Sequence, residues 1–336
     1  MLYVTTRDDH EVYTAYRALQ ESRGREGGLF LPFRAPDFSP EELDRLLSSP
    51  FHQCVAQVLN LLFPVKLSAV DVEFAIGRRS VQLTPLGRRV LLAEAWHNPA
   101  EAYTYLEGSL AKLMGRENTS SGDWVRIAIR VAVWFGLFAE LRRAGYRETM
   151  DVSVVSGDFA APISAWYARQ WGLPIGKIIC CCNENSVLWE LYRYGQMRTD
   201  GVSVPTATPE ADVTLPVELE RLIYACGGTA ETRRYLERVR LGRPYRAPEE
   251  LLKGQGMYVS VISGQRMMQT IPSVYRTHGH LLSPYGALAY GGLLDYRTMG
   301  EEPRNGLVLE ERGPARDASA VAAALGVDEK AIKDYL

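Results

Sequence analysis

A carboxylate, an imidazole and a hydroxyl are grouped in the stretch from Val90 to Tyr105, which contains Glu94, His97 and Thr104. Glutamate and histidine are the usual groups of general acid–base work. A histidine set between Trp96 and Asn98 serves equally well as a structural residue. Thr104 has no amine, so it cannot hold a carbonyl compound as a Schiff base the way a lysine does.

A second group stands at Ser156, Gly157, Asp158, Phe159 and Ala160, directly after the apolar run Met150 to Val155 and ahead of a predicted helix. A turn of this kind, from strand to helix, points backbone amides and a helix N-terminus at one place and so can hold an anion. Asp158 brings its own charge to that place and also suits a helix cap. Two like charges 4 Å apart cost roughly 1 kcal/mol in water and about 4 kcal/mol at an effective dielectric of 20, so a bound phosphate there needs compensation. The turn itself contains no lysine or arginine. Asn183 and Asn185 follow a predicted strand, at the carboxyl edge where open parallel sheets bind ligands, though asparagine also favours turns and caps.

The elements that must position these residues follow an alternating rhythm. Apolar periodicity predicts a helix over 124–143, a strand over 151–155, a helix over 160–171, a strand over 177–182 and a helix over 185–195. Strands separated by helical crossovers imply an α/β fold with an open, mostly parallel sheet flanked by helices. Cys180, Cys181 and Cys182 read as the end of a buried strand whose alternate side chains face opposite ways. Three adjacent cysteines are poorly placed to share one tetrahedral metal, and an odd total of five argues against a disulfide framework.

The 336 residues are 46% hydrophobic, with 38 basic and 40 acidic side chains and a formal charge of -2, which leaves no basic footprint for nucleic acid. Arg7, Asp8, Asp9 and Glu11 interrupt any leader-like apolar stretch, and the apolar run Val131 to Ala139 is far short of the roughly 20 residues of a bilayer span. A cytoplasmic protein without membrane or nucleic-acid partners is expected. A homo-oligomer is left open.

Several separated motifs resemble the threonine synthases. They are Leu2 to Arg7 with Glu26 to Pro32, Glu94 to Pro99, Ser156 to Phe159, Gly172 to Ile175, Asn183 to Asn185, Glu220 to Tyr224 and, more faintly, Ser283 to Arg316. The resemblance implies a pyridoxal phosphate fold of type II, with a small N-terminal region over 1–80 and an α/β scaffold with a helical tail over 81–336. It also implies that Thr104 stands where the family has its cofactor lysine. Ser156, Gly157, Asp158, Phe159 and Ala160 stand at the family's phosphate turn, Glu311 near its pyridine nitrogen, and Arg126, Asn183 and Asn185 along its cleft. Leu113 to Asn118 leads almost at once to Ser121, so the mobile subdomain of the family is expected to be largely missing.

These departures lead to the expectation of a degenerate member without a cofactor, binding a small ligand or a protein partner on the retained scaffold. An enzyme of changed chemistry using Glu94, His97, Asp158 or Glu311 is one alternative. A noncanonical pyridoxal phosphate enzyme, with the cofactor held noncovalently, through Lys112 or through another chain's lysine, is the other. No metal is expected.

Overall fold

Runs of apolar residues at strand length, separated by helices, close into a six-stranded sheet. In the computed structural model, which describes residues 1–78, 81–96, 98–299 and 304–336, its order is Met257–Val261, Ile175–Cys182, Met150–Val155, Gly306–Glu310, Val90–Glu94, Gln82–Pro85. All neighbours are parallel except the last pair, in which Gln82–Pro85 runs antiparallel to Val90–Glu94. The predicted α/β class with a mostly parallel sheet is therefore the observed one. The predicted elements between 124 and 195 recur as Trp124–Arg143, Met150–Val155, Ala160–Gln170, Ile175–Cys182 and Val187–Tyr194.

The interior strands are covered on both faces, and the period-2 alternation of side chains divides them between two apolar cores. Cys180, Cys182, Val152, Val154, Leu307 and Leu309 join the core containing the Trp124–Arg143 and Ala160–Gln170 helices. Cys181, Ile179 and Val308 face the other way, with the Gly264–His278 and Pro284–Arg297 helices. The three cysteines are thus buried structural residues on alternate faces, and burial pushes all three thiols upward in pKa.

The Trp124–Arg143 helix is apolar nearly all round because it is covered nearly all round. One side receives the Phe51–Leu62 helix, and the Ala160–Gln170 helix packs on another. Gly136 marks the closest approach, since a methyl group there would lie 2.8 Å from the Phe51 ring and 3.0 Å from Val55. Gly136→Ala is expected to cost about 1–3 kcal/mol through overpacking, despite alanine's better helix propensity. The shift in the urea midpoint would measure it.

The N-terminal sheet, Leu2–Thr5 paired antiparallel with Tyr13–Thr14 and Phe30–Pro32, is tied to the body by ion pairs rather than by apolar contact alone. Glu220 accepts from the Thr6 hydroxyl and takes both Nε and Nη2 of Arg7 at 3.0 Å. The next residue, Arg221, is fully buried and donates to Glu218 at 2.8 Å, to the Gly122 carbonyl at 3.0 Å and to the Phe30 carbonyl. The motifs at Leu2 to Arg7, Glu26 to Pro32 and Glu220 to Tyr224 therefore meet in space. Among the described residues, no helix is long and apolar enough to cross a membrane.

Candidate functional site

A cavity of about 570 Å³ opens at the carboxyl ends of the Met150–Val155 and Gly306–Glu310 strands, a usual size and place for a small ligand. One wall is the Tyr103–Leu113 helix, which presents Thr104, Gly108 and Lys112. Steps of four residues place all three on one helical face. Thr104 and Lys112, roughly 12 Å apart along the helix axis, thus both line one cavity.

The start of this helix is pinned to the chain that leaves the Gly306–Glu310 strand. Tyr103 donates its amide to the Glu311 carbonyl at 2.6 Å, and Ala102 forms an isolated antiparallel bridge with Arg312. Gly313 permits this contact, because a methyl group there would meet the Pro99 carbonyl oxygen at 2.2 Å. Thr104 and Glu311 consequently belong to the same cavity although 207 positions separate them.

The strand-to-helix turn also lines the cavity. Gly157 has φ 43° and Phe159 has φ 76°, a left-handed conformation that is strained for a bulky side chain. Phe159, wholly buried, holds the N-cap position of the Ala160–Gln170 helix, so the cap expected at Asp158 falls one residue later. Asp158 nevertheless fills the anion seat: its Oδ1 accepts the Ala160 amide at 3.2 Å, and its Oδ2 receives the Ser121 hydroxyl and an Arg126 guanidinium. Burial disfavours the Asp158 carboxylate, but Arg126 and the Ser121 hydrogen bond more than offset it, and the pKa is held below the ordinary aspartate value.

Behind these residues lies a chain of alternating charge. Arg126 and Arg130, one turn apart on the Trp124–Arg143 helix, face Glu107, Asp158 and Glu311. Arg126 reaches Glu107 at 3.5 Å, Arg130 pairs with both Glu107 and Glu311, and the Arg130 guanidinium lies 4.5 Å from the Tyr103 ring centroid. Burial works against the Arg130 charge, yet its two carboxylate partners hold its pKa well above normal. Both arginines are thus already engaged by carboxylates. A ligand phosphate that takes Arg126 must exchange with Asp158, and Lys112 on the same cavity is a further cation.

Glu117 to Ser121, in the short connection that stands where the family's subdomain is expected, also line the cavity. Asp123 caps the following helix through the Val125 amide and pairs with Arg116 at 2.6 Å. The Ser121 to Asp123 run thus begins a helix, as its sequence context suggests.

Ser156, Gly157, Asp158, Ala160, Thr104, Arg126 and Glu311 are brought together around the cavity. Other sequence candidates lie elsewhere. Asn183 and Asn185 lie outside the lining, where they hold the 204–212 loop through Asp212, Thr206, Thr208 and the Val204 carbonyl. Glu94 faces Thr84 at 3.0 Å and His280 at 3.3 Å, away from the cavity. His97 lies outside the described residues. Arg130, Glu107 and Arg312 were not singled out from sequence. The signal available was the four-residue spacing of Arg126 and Arg130 on one predicted helix.

Comparison with known proteins adds three findings. A family model described as "Threonine synthase N terminus" matches residues 2–78. The threonine synthase of Methylobacillus glycogenes is 29% identical over 221 residues, covering 62% of this chain and 44% of that protein. Human "Threonine synthase-like 1" is 26% identical over 181 residues, covering 51% of this chain and 24% of that protein. The chain thus spans less than half the length of these curated relatives.

Two solved structures share the fold. Yeast threonine synthase superposes with a TM-score of 0.87 at 16% identity, covering 100% of this chain and 92% of that one. The threonine synthase of Brucella melitensis superposes with a TM-score of 0.84 at 19% identity, covering 97% of this chain and 92% of that one, and was solved with pyridoxal phosphate bound. This last likeness overturns the expectation of a chain without a cofactor. The inference from Thr104 and Asp158 concerned covalent anchoring and local charge, and neither excludes a group held by other contacts.

Proposed function

We propose that this chain, similar to the threonine synthases, holds pyridoxal phosphate reversibly in its cleft, without a lysine anchor at position 104, and that it does not form threonine through that position. The observation that carries this reading is the placement of Thr104 and of the Asp158–Arg126 pair around one cavity. On the family resemblance these are the lysine and phosphate positions.

The residues present suit the group, with one exchange. Arg126, released from Asp158, would supply a cation to the phosphate, and Ser121, Ser156 and the start of the Ala160–Gln170 helix would supply hydrogen bonds. On the family resemblance Glu311, held by Arg130, would be the residue near the pyridine nitrogen, and a carboxylate partners a protonated pyridine well. Pyridoxal phosphate, when bound, supplies an aldehyde and an electron-withdrawing ring. On the family resemblance Thr104 would stand near that aldehyde, where its hydroxyl can donate a hydrogen bond but cannot form a Schiff base.

Titration with pyridoxal phosphate, followed by dialysis or by borohydride reduction and peptide mass spectrometry, tests this. Saturable binding that dialysis reverses, with no fixed lysine adduct and no threonine from phosphohomoserine, is the expected result. A stoichiometric adduct on Lys112 overturns the noncovalent reading. Absence of saturable binding overturns the site.

A further inference from the structure

On the far side of the sheet from the arginines, Glu94, His280 and Glu310 converge. Glu94 and Glu310 end neighbouring parallel strands and are register partners, so their side chains leave the sheet on the same face. His280 comes from the connection between the Gly264–His278 and Pro284–Arg297 helices. One ligand atom from each of the three lies within 4.8 Å of the other two, and His280 Nε2 stands 3.3 Å from Glu94 Oε1.

The burial is what makes the cluster unusual. Glu94 is 2% exposed and Glu310 0% exposed. Each has one oxygen held by the protein: Glu94 Oε2 accepts the Thr84 hydroxyl at 3.0 Å, and Glu310 Oε1 accepts the Ser283 amide at 2.7 Å. Among the described residues, Glu310 Oε2 is buried and completes no hydrogen bond, although the Trp96 indole approaches the carboxylate, and His280 Nε2 likewise completes none. Two buried carboxylates, one with an oxygen that completes no hydrogen bond and the other 3.3 Å from the ring nitrogen, form an unfinished polar site.

We propose that Glu94, His280 and Glu310 form a binding site for a divalent transition metal of the zinc class. Ligand atoms about 2.0–2.2 Å from a tetrahedral zinc lie roughly 3.3–3.6 Å apart, which the Glu94–His280 separation already matches. Two carboxylates and a neutral imidazole balance a dication, and the mixture of nitrogen and oxygen donors selects zinc-like ions over magnesium and calcium. The protein-held oxygens of the two glutamates orient these ligands, as outer contacts do at metal centres. The His280 side chain is partly exposed, although its Nε2 is buried.

The site pins the ends of two strands that lead directly into the cleft. Ala95 donates its amide to the Glu310 carbonyl, the chain after Glu94 runs on to Thr104, and Glu311 pairs with Arg130. Metal binding here orders the floor of the cleft without entering it.

Tag-free protein equilibrated with zinc and desalted, then assayed for bound metal, should retain about one equivalent per chain. Cobalt(II) should give the visible absorption of a low-coordinate site, and both signals should be lost in His280→Gln and Glu310→Gln. Adding zinc should raise the wild-type melting temperature on the order of 5 °C at roughly 100-fold excess over its dissociation constant, with no rise in Glu310→Gln. The Glu310→Gln protein should remain folded, because amide for carboxyl removes a buried charge. Retention of equal metal by both variants, or no metal in wild type because a proton bridges the carboxylates instead, overturns the proposal.

Discussion

Arg221→Met is expected to destabilise the protein by about 3–5 kcal/mol, the cost of removing one partner from a buried ion pair. Both Arg221 and Glu218 are fully buried, and the arginine also holds the carbonyls of Phe30 and Gly122. Without it, Glu218 keeps only the Gly122 amide, at 2.7 Å, of the partners described for it, and two carbonyls lose a charged donor. The Arg221 guanidinium also lies 5.4 Å from the Trp124 ring centroid, so some packing goes with the charge. Equilibrium urea unfolding measures the loss. The double variant Glu218→Gln/Arg221→Met should recover part of it, because the stranded carboxylate is then gone. A single-variant loss below about 1 kcal/mol would mean that the pair is not the clasp between the N-terminal sheet and the body.

Asp158→Asn is expected to tighten binding of pyridoxal phosphate and of inorganic phosphate on the order of 100-fold. A like charge within about 4 Å opposes the phosphate by roughly 4 kcal/mol at an effective dielectric of 20, and compensation by Arg126 leaves a part of that to be recovered. The neutral amide also frees Arg126 to meet the ligand. Pyridoxal lacking the phosphate should show little change, which separates a charge effect from a general widening of the cavity. Comparable affinity for phosphate in wild type and variant would show that the anion seat lies elsewhere. Isothermal titration of each ligand against both proteins reads this out.

The alternation of apolar strands and helices between residues 124 and 195 was legible because periods of 2 and 3.6 are local properties of the chain. The period-2 alternation also explains the cysteine run, whose members divide between two cores. Thr104 and Asp158 were legible as chemical anomalies from residue type alone: one lacks an amine and the other adds a charge. The resemblance placed them in one site, and the fold did so physically.

Other parts depended on partners remote in sequence. Asp158 looked uncompensated because its turn contains no basic residue, yet Arg126 arrives from a different helix. Asn183 and Asn185 looked like cleft residues at a strand end, but a loop some 20 residues later claims their amides. Glu94 and Glu311 looked like members of one acid–base set. Glu94 and Glu310 instead share a face directed at His280, while Glu311 turns to Arg130.

The sequence by itself determined the α/β layering, the absence of an amine at position 104 and the carboxylate at position 158, since each follows from residue type and local period. The tertiary structure alone decided which charges are neutralised, which polar atoms stay unpaired and which acids share a cavity. Those depend on distances between elements far apart in the chain, and electrostatic energy falls with separation in space rather than in sequence.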